Sequence, residues 1–127
     1  MPEAVPVVAV DGPAASGKGT IAERLARALG YRYLDSGALY RLVALKALRT
    51  GADVDDPAAL AALARGLDAT FAGGRLGLDG DDVTEAVRDE SVSAAASRVA
   101  VHPPVRAALL ERQRAFRVPP GLVADGR

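Results

Sequence analysis

An α/β fold, a parallel sheet with helices on both faces, follows from three features of this 127-residue sequence. The run from Val5 to Val10 is too continuously apolar for a half-exposed strand and suits a central parallel one. A glycine-rich segment, Gly12 to Thr20, follows almost at once and leads into an amphipathic stretch. Two further buried runs, 31–34 and 122–124, each follow a helical pattern, as a layered α/β arrangement requires.

The elements are justified in chain order. After the loop, Ile21, Ala22, Leu25, Ala26 and Leu29 fall on one helical face, with Glu23, Arg24 and Arg27 opposite, and Gly30 ends the helix. Tyr31 to Leu34 is a second strand, closing in Asp35-Ser36-Gly37. Leu39, Leu42, Val43 and Leu45 mark a second helix that ends near Gly51. Asp56-Pro57 is an N-cap followed by proline at the first helical position, opening a helix to about Arg65.

Between Leu67 and Val83 the apolar period shortens to that of a strand, broken by Gly73-Gly74 and Asp79-Gly80. Turn pairs between short alternating runs predict a small antiparallel sheet, an insertion over 67–88. Helical pattern resumes over 90–101, breaks at His102-Pro103-Pro104 and continues over 105–117. Pro119-Pro120-Gly121 precedes the third core strand, which runs into Asp125-Gly126-Arg127. A sheet of this kind normally has about five parallel strands. With only three in view, the expectation is an incomplete sheet, the N-terminal portion of a larger protein.

Composition excludes several classes. Sixteen basic residues balance sixteen acidic ones, so no global field attracts nucleic acid or an anionic membrane. The five aromatic residues are few for a base-stacking surface. Without cysteine there are no disulfides or thiolate metal sites, and the single histidine, His102, cannot build a histidine metal site. No apolar run approaches the ~20 residues of a membrane span, and Met1 to Ala4 lacks a basic leader, so the expected location is cytoplasmic.

The loop carries the first chemistry. Strand, glycine-rich turn and helix wrap backbone N–H groups around a phosphate chain, which makes the expected sheet one of the P-loop NTPase type. Lys18 is one of only two lysines and stands between Gly17 and Gly19. It would neutralise the β- and γ-phosphates, while Gly12, Ala14, Ala15, Ser16, Gly17, Gly19 and Thr20 complete the cradle. The hydroxyl comes two residues after the lysine rather than one, so Thr20 is expected on a phosphate rather than on Mg²⁺. The Gly-Lys-Gly-Thr form is similar to that of nucleoside monophosphate kinases.

Asp35-Ser36-Gly37-Ala38-Leu39-Tyr40-Arg41, taken with Asp11-Gly12-Pro13 and Asp125-Gly126-Arg127, resembles bacterial cytidylate kinase. The likeness extends through Ala95 to Ala100 and Val105 to Leu110 and covers the whole chain. It implies transfer of the ATP γ-phosphoryl group, with Mg²⁺, to CMP or dCMP in pyrimidine nucleotide metabolism. Residues 1–127 are then a cytidylate kinase domain truncated on its C-terminal side, with a phosphate loop at 12–20 and the β insertion in the acceptor-binding region.

Lys18 and Arg127 would be catalytic, and Ser36, Tyr40, Arg41, Ser97, Arg106, Asp125 and Arg127 would contact the acceptor. No residue is assigned to hold a metal. The full-length protein is expected to be a monomer acting on small molecules, neither on nucleic acid nor on membranes. Lacking the family's arginine-rich lid, the chain alone is expected to be weakly active or inactive. Two other readings stay open: a different P-loop kinase, for adenylate or shikimate, and a nucleotide-binding fragment without turnover.

Taken singly, the same residues have plainer readings. Ser36 could cap a helix, Arg41 and Arg106 could be solvated charges, Ser97 a small helical residue, and Asp125 a turn residue.

Overall fold

The computed structural model describes residues 5–10, 18–72 and 74–125. The chain divides into two units, residues 1–37 with 113–127, and residues 38–112. The α/β class predicted from sequence is what the structure has, with a three-stranded parallel sheet and a small antiparallel one.

In the first unit the strands are β1 (Val7–Val10), β2 (Arg32–Asp35) and β6 (Leu122–Asp125), in the order β1-β6-β2. The expectation that the first run forms the central strand is corrected. The last strand in sequence, β6, lies between the other two, and β1 is at an edge with Val7 43% exposed. The continuous apolar run records neither strand order nor, in β1, whose residues alternate between exposed and half-buried, the burial it suggested, and parallel neighbours are joined only by long crossovers. Register is even across the sheet: Val10 and Asp35 both pair with Asp125, and Val8 and Tyr33 with Val123.

Helix α1 (Lys18–Leu29) covers the face that carries these residues. Ala22 and Ala26, four apart and therefore on one stripe, are buried with Val123, and Val8, Val10, Leu25, Tyr31 and Tyr33 pack around them. The predicted apolar face is too wide. Ile21 lies about 100° around the helix from Ala22 and is 61% exposed, and Leu29, the final helical residue, is 44% exposed. The helix closes as expected on Gly30 at φ 69°. The Tyr31 N–H donates to the Ala26 carbonyl (2.8 Å) and Gly30 N–H to Arg27 (3.3 Å), the paired bonds of a Schellman end.

The second unit begins within α2 (Ser36–Thr50), whose Leu39, Leu42, Val43 and Ala44 are fully buried. Next comes α3 (Pro57–Arg65), with Asp56 accepting from the N–H groups of Ala58 and Ala59 and Pro57 in the first turn. The antiparallel sheet follows the turn residues: β3 (Ala69–Ala72), β4 (Arg75–Leu78) and β5 (Asp81–Asp82). Asp79 and Gly80 both take positive φ (53° and 85°), the conformation an Asp-Gly hairpin turn requires. A 3₁₀ turn at Ala86–Arg88, unanticipated from sequence, leads to α4 (Glu90–Val99).

The last helix, α5 (Pro103–Arg114), corrects the placing of the break. The prolines begin the helix instead of standing outside it, because a first-turn residue needs no N–H donor. His102 precedes them and its carbonyl accepts from Val105 and Arg106, while its Nε2 lies 3.1 Å from the Val54 carbonyl. The helix also stops at Arg114, short of the expected Arg117.

Candidate active site

In a parallel sheet the strand ends aligned at the carboxyl edge are where loops and helix N-termini gather, and where ligands of α/β proteins bind. Here that edge consists of Val10, Asp125 and Asp35 in direct register. Beyond Val10 the chain passes to α1, which starts at Lys18, and beyond Asp35 it enters α2 at once with Ser36. Helices α1 and α2 thus follow these strand ends in sequence, each bringing the positive end of a helix dipole.

Ser36 is buried, and its hydroxyl donates to the main-chain carbonyl of Asp125 (3.0 Å). This bond spans 89 residues of sequence and differs from the helix-cap role that the sequence allowed. Asp125 is only 4% exposed, a carboxylate at the end of the central strand. Its Oδ2 accepts a hydrogen bond of 3.2 Å from the hydroxyl of Tyr33. Tyr33, Asp35 and Asp125 alternate onto the same face of the sheet, so two carboxylates and a phenol share one corner.

Burial, and after it the nearby Asp35 and Asp125 carboxylates, push the Tyr33 phenol well above the ordinary tyrosine value of 10.0. At neutral pH it is a neutral donor, directed at Oδ2 of Asp125. Sequence reasoning missed Tyr33 as a site residue. The available signal was its spacing of two from Asp35 on a short strand, which puts both side chains on one face.

The other predicted residues fall elsewhere. Gly12, Ala14, Ala15, Ser16, Gly17 and Arg127 lie outside the described residues, as does the side chain of Lys18. Lys18 and Gly19 form the start of α1, and Thr20 in its first turn is exposed. In the second unit, Tyr40 and Arg41 are half-buried on α2, while Ser97 on α4 and Arg106 on α5 are exposed. The Ser97 hydroxyl donates to the Ser93 carbonyl one turn back (3.3 Å). Among the described residues no hydrogen bond or ion pair joins any two of these four, and neither Arg41 nor Arg106 has a carboxylate partner.

Metal-binding potential is modest. Among the described residues no group of three or more His, Cys, Asp or Glu side chains could hold an ion. Asp35 and Asp125 supply two carboxylates, a donor set that suits a Mg²⁺ held mainly by phosphates and water. Among the described residues, no helix is long and apolar enough to cross a membrane.

Comparison with known proteins supplies the family. The family model for cytidylate kinase matches residues 8–127. The cytidylate kinase of Bordetella pertussis is 60% identical over 124 residues, which cover 98% of this chain and 56% of that protein. Those of Neisseria gonorrhoeae (57% over 121 residues) and Stutzerimonas stutzeri (56% over 129 residues) match 95% and 97% of this chain, and each is covered to 56%. The chain therefore spans a little over half the length of these relatives. On this match across nearly its whole length, the chain belongs to the cytidylate kinase family.

Proposed function

We propose that the chain carries the donor loop and part of the acceptor site of a kinase that transfers the γ-phosphoryl group of ATP to CMP or dCMP. The observation that carries this reading is the carboxyl edge of the parallel sheet. Val10, Asp35 and Asp125 align at that edge, and Ser36 binds the Asp125 carbonyl there, in a chain whose family is cytidylate kinase. Lys18 and the backbone of residues 12–20 would hold the triphosphate at the N-terminus of α1, with Mg²⁺ arriving largely hydrated alongside it. The ion's contribution is to neutralise charge on the β- and γ-phosphates.

An acceptor phosphate oxygen attacks the γ-phosphorus in line, and ADP leaves. Ser36, Tyr40, Arg41, Ser97, Arg106 and Asp125 would bind the acceptor, arginine gripping its phosphate in bidentate fashion. Arg127 would reach the transferring group. Arg41, half-buried with no carboxylate partner among the described residues, has its fork available for an anion. A cytoplasmic monomer working on small molecules fits this reading, and the segment 67–88 would belong to the acceptor-binding region.

The test is ATP consumption with CMP, dCMP, UMP, AMP and shikimate offered separately. It is run on this chain and on one of the relatives' full length. CMP or dCMP should be preferred, and Lys18→Ala should lower turnover by about 10²–10³-fold, the cost of removing one group that stabilises transition-state charge. Preference for AMP or shikimate would overturn the proposal, and binding without turnover at full length would leave only a nucleotide-binding fold.

A further inference from the structure

The carboxyl edge of the sheet holds one group that the proposed acceptor site does not use, the hydroxyl of Tyr33. The Tyr33 ring belongs to the apolar packing on Ala22, Ala26 and Val123 beneath α1. A phenylalanine would pack there equally well, so the hydroxyl is not needed for that core. It nevertheless points past its own register partner, Val123, to the side chain of Asp125 two residues further along β6. The Asp125 main chain is held separately, by the Ser36 hydroxyl on its carbonyl at 3.0 Å. One segment, from β2 into the first residue of α2, thus grips both the backbone and the carboxylate of the last residue of the central strand.

We propose that Tyr33 is a positioning residue of the nucleotide site, its hydroxyl selecting the orientation in which the Asp125 carboxylate meets the acceptor. The inference rests on the reading that Asp125 belongs to that site. An aspartate side chain has several staggered orientations, and a bond to a ring that is itself locked by packing selects one of them. A phenol donating to a carboxylate is a charge-assisted bond, stronger than one between neutral groups. Orientation fixed before the acceptor arrives reduces what binding must order.

The experiment uses Tyr33→Phe, Asp125→Asn and the double variant, with Arg41→Ala as a control for the acceptor site. CMP binding is titrated by calorimetry, and each variant's thermal unfolding midpoint is recorded. Tyr33→Phe should lower the midpoint by no more than a few degrees, the scale of one hydrogen bond. It should weaken CMP binding by about 3–10-fold, the range spanned by roughly one such bond. Asp125→Asn should weaken binding at least as much, and the double variant no more than Asp125→Asn alone.

Additive effects would mean that Tyr33 acts apart from Asp125 and would overturn the inference. Unchanged CMP binding in Tyr33→Phe beside a weakened Asp125→Asn would overturn it too, while leaving the site reading intact. If Asp125→Asn fails to fold, Tyr33→Phe alone decides, since a purely structural hydroxyl would move the midpoint and not CMP affinity. No CMP binding by the unsubstituted chain, or no effect from Arg41→Ala and Asp125→Asn together, would remove the site reading and the inference with it.

Discussion

Gly121, the residue before β6, meets the ring of Tyr31 at a distance that leaves no room for a side chain. A Cβ there would lie 2.5 Å from Cε2, 2.6 Å from Cζ and 2.7 Å from Cδ2 of that ring. The ring cannot swing aside freely, because Tyr31 packs on the Ala22, Ala26 and Val123 cluster. Gly121→Ala should therefore destabilise the protein by about 1–3 kcal/mol, the usual cost of overpacking. Denaturant unfolding would show a lower midpoint with an unchanged slope. In a Tyr31→Ala background the penalty should vanish, and a cost that persists there would mean the backbone, not the ring, is responsible. This close approach was invisible in the sequence, where Pro119-Pro120-Gly121 is legible only as a turn. Ser36 and Asp125 were legible as candidates because each ends or follows a strand, yet the bond between them joins positions 89 apart and no local pattern encodes it.

Among the elements, the sheet of β3, β4 and β5 shows how local chemistry sets both structure and pH response. Its turns were legible because glycine and aspartate supply the positive φ that other residues resist. The prolines that open α5 were misplaced because the same residue that stops a helix also starts one well. Within the sheet, Asp82 is held at about 2, below its ordinary 3.8, first by the Thr84 N–H, next by the Thr84 side chain and then by Arg75. The Thr84 N–H donates to Oδ1 at 3.0 Å and the Arg75 Nε to Oδ2 at 2.9 Å. A carboxyl depressed in the folded state stabilises it above the unfolded pKa and loses that contribution as pH falls through the folded one. The loss should fall between pH 3.8 and about 2. Over that window the unfolding midpoint of Asp82→Asn should fall less steeply than that of the unsubstituted protein. Added salt should trim only the Arg75 part, because the larger contribution is a hydrogen bond from the backbone. Identical slopes for the two proteins would show that other carboxylates govern the acid limb.

At the scale of the whole molecule, the first unit is assembled from segments at opposite ends of the chain, since β1 and β6 pair residues 7–10 with 122–125. The α/β class was legible from the order of apolar runs and helical patterns. The order β1-β6-β2 was not, because it depends on crossovers whose course no short-range periodicity records. That order predicts where protection against hydrogen exchange should concentrate. As the central strand, β6 is bonded on both sides; the Leu122 N–H donates to the Pro6 carbonyl, while Arg32 of β2 donates to Gly121. Among the described residues, strand β1 is bonded on one side only, and its Val7 is 43% exposed. Amide exchange followed by NMR should therefore find the slowest amides of this sheet in Leu122–Asp125, with those of β1 that face away from β6 exchanging much faster. The same experiment in Val123→Ala should speed exchange across β1, β6 and β2 together, because that side chain anchors the sheet to α1. Acceleration confined to β6 would show instead that the three strands open separately and that the sheet is not one cooperative unit.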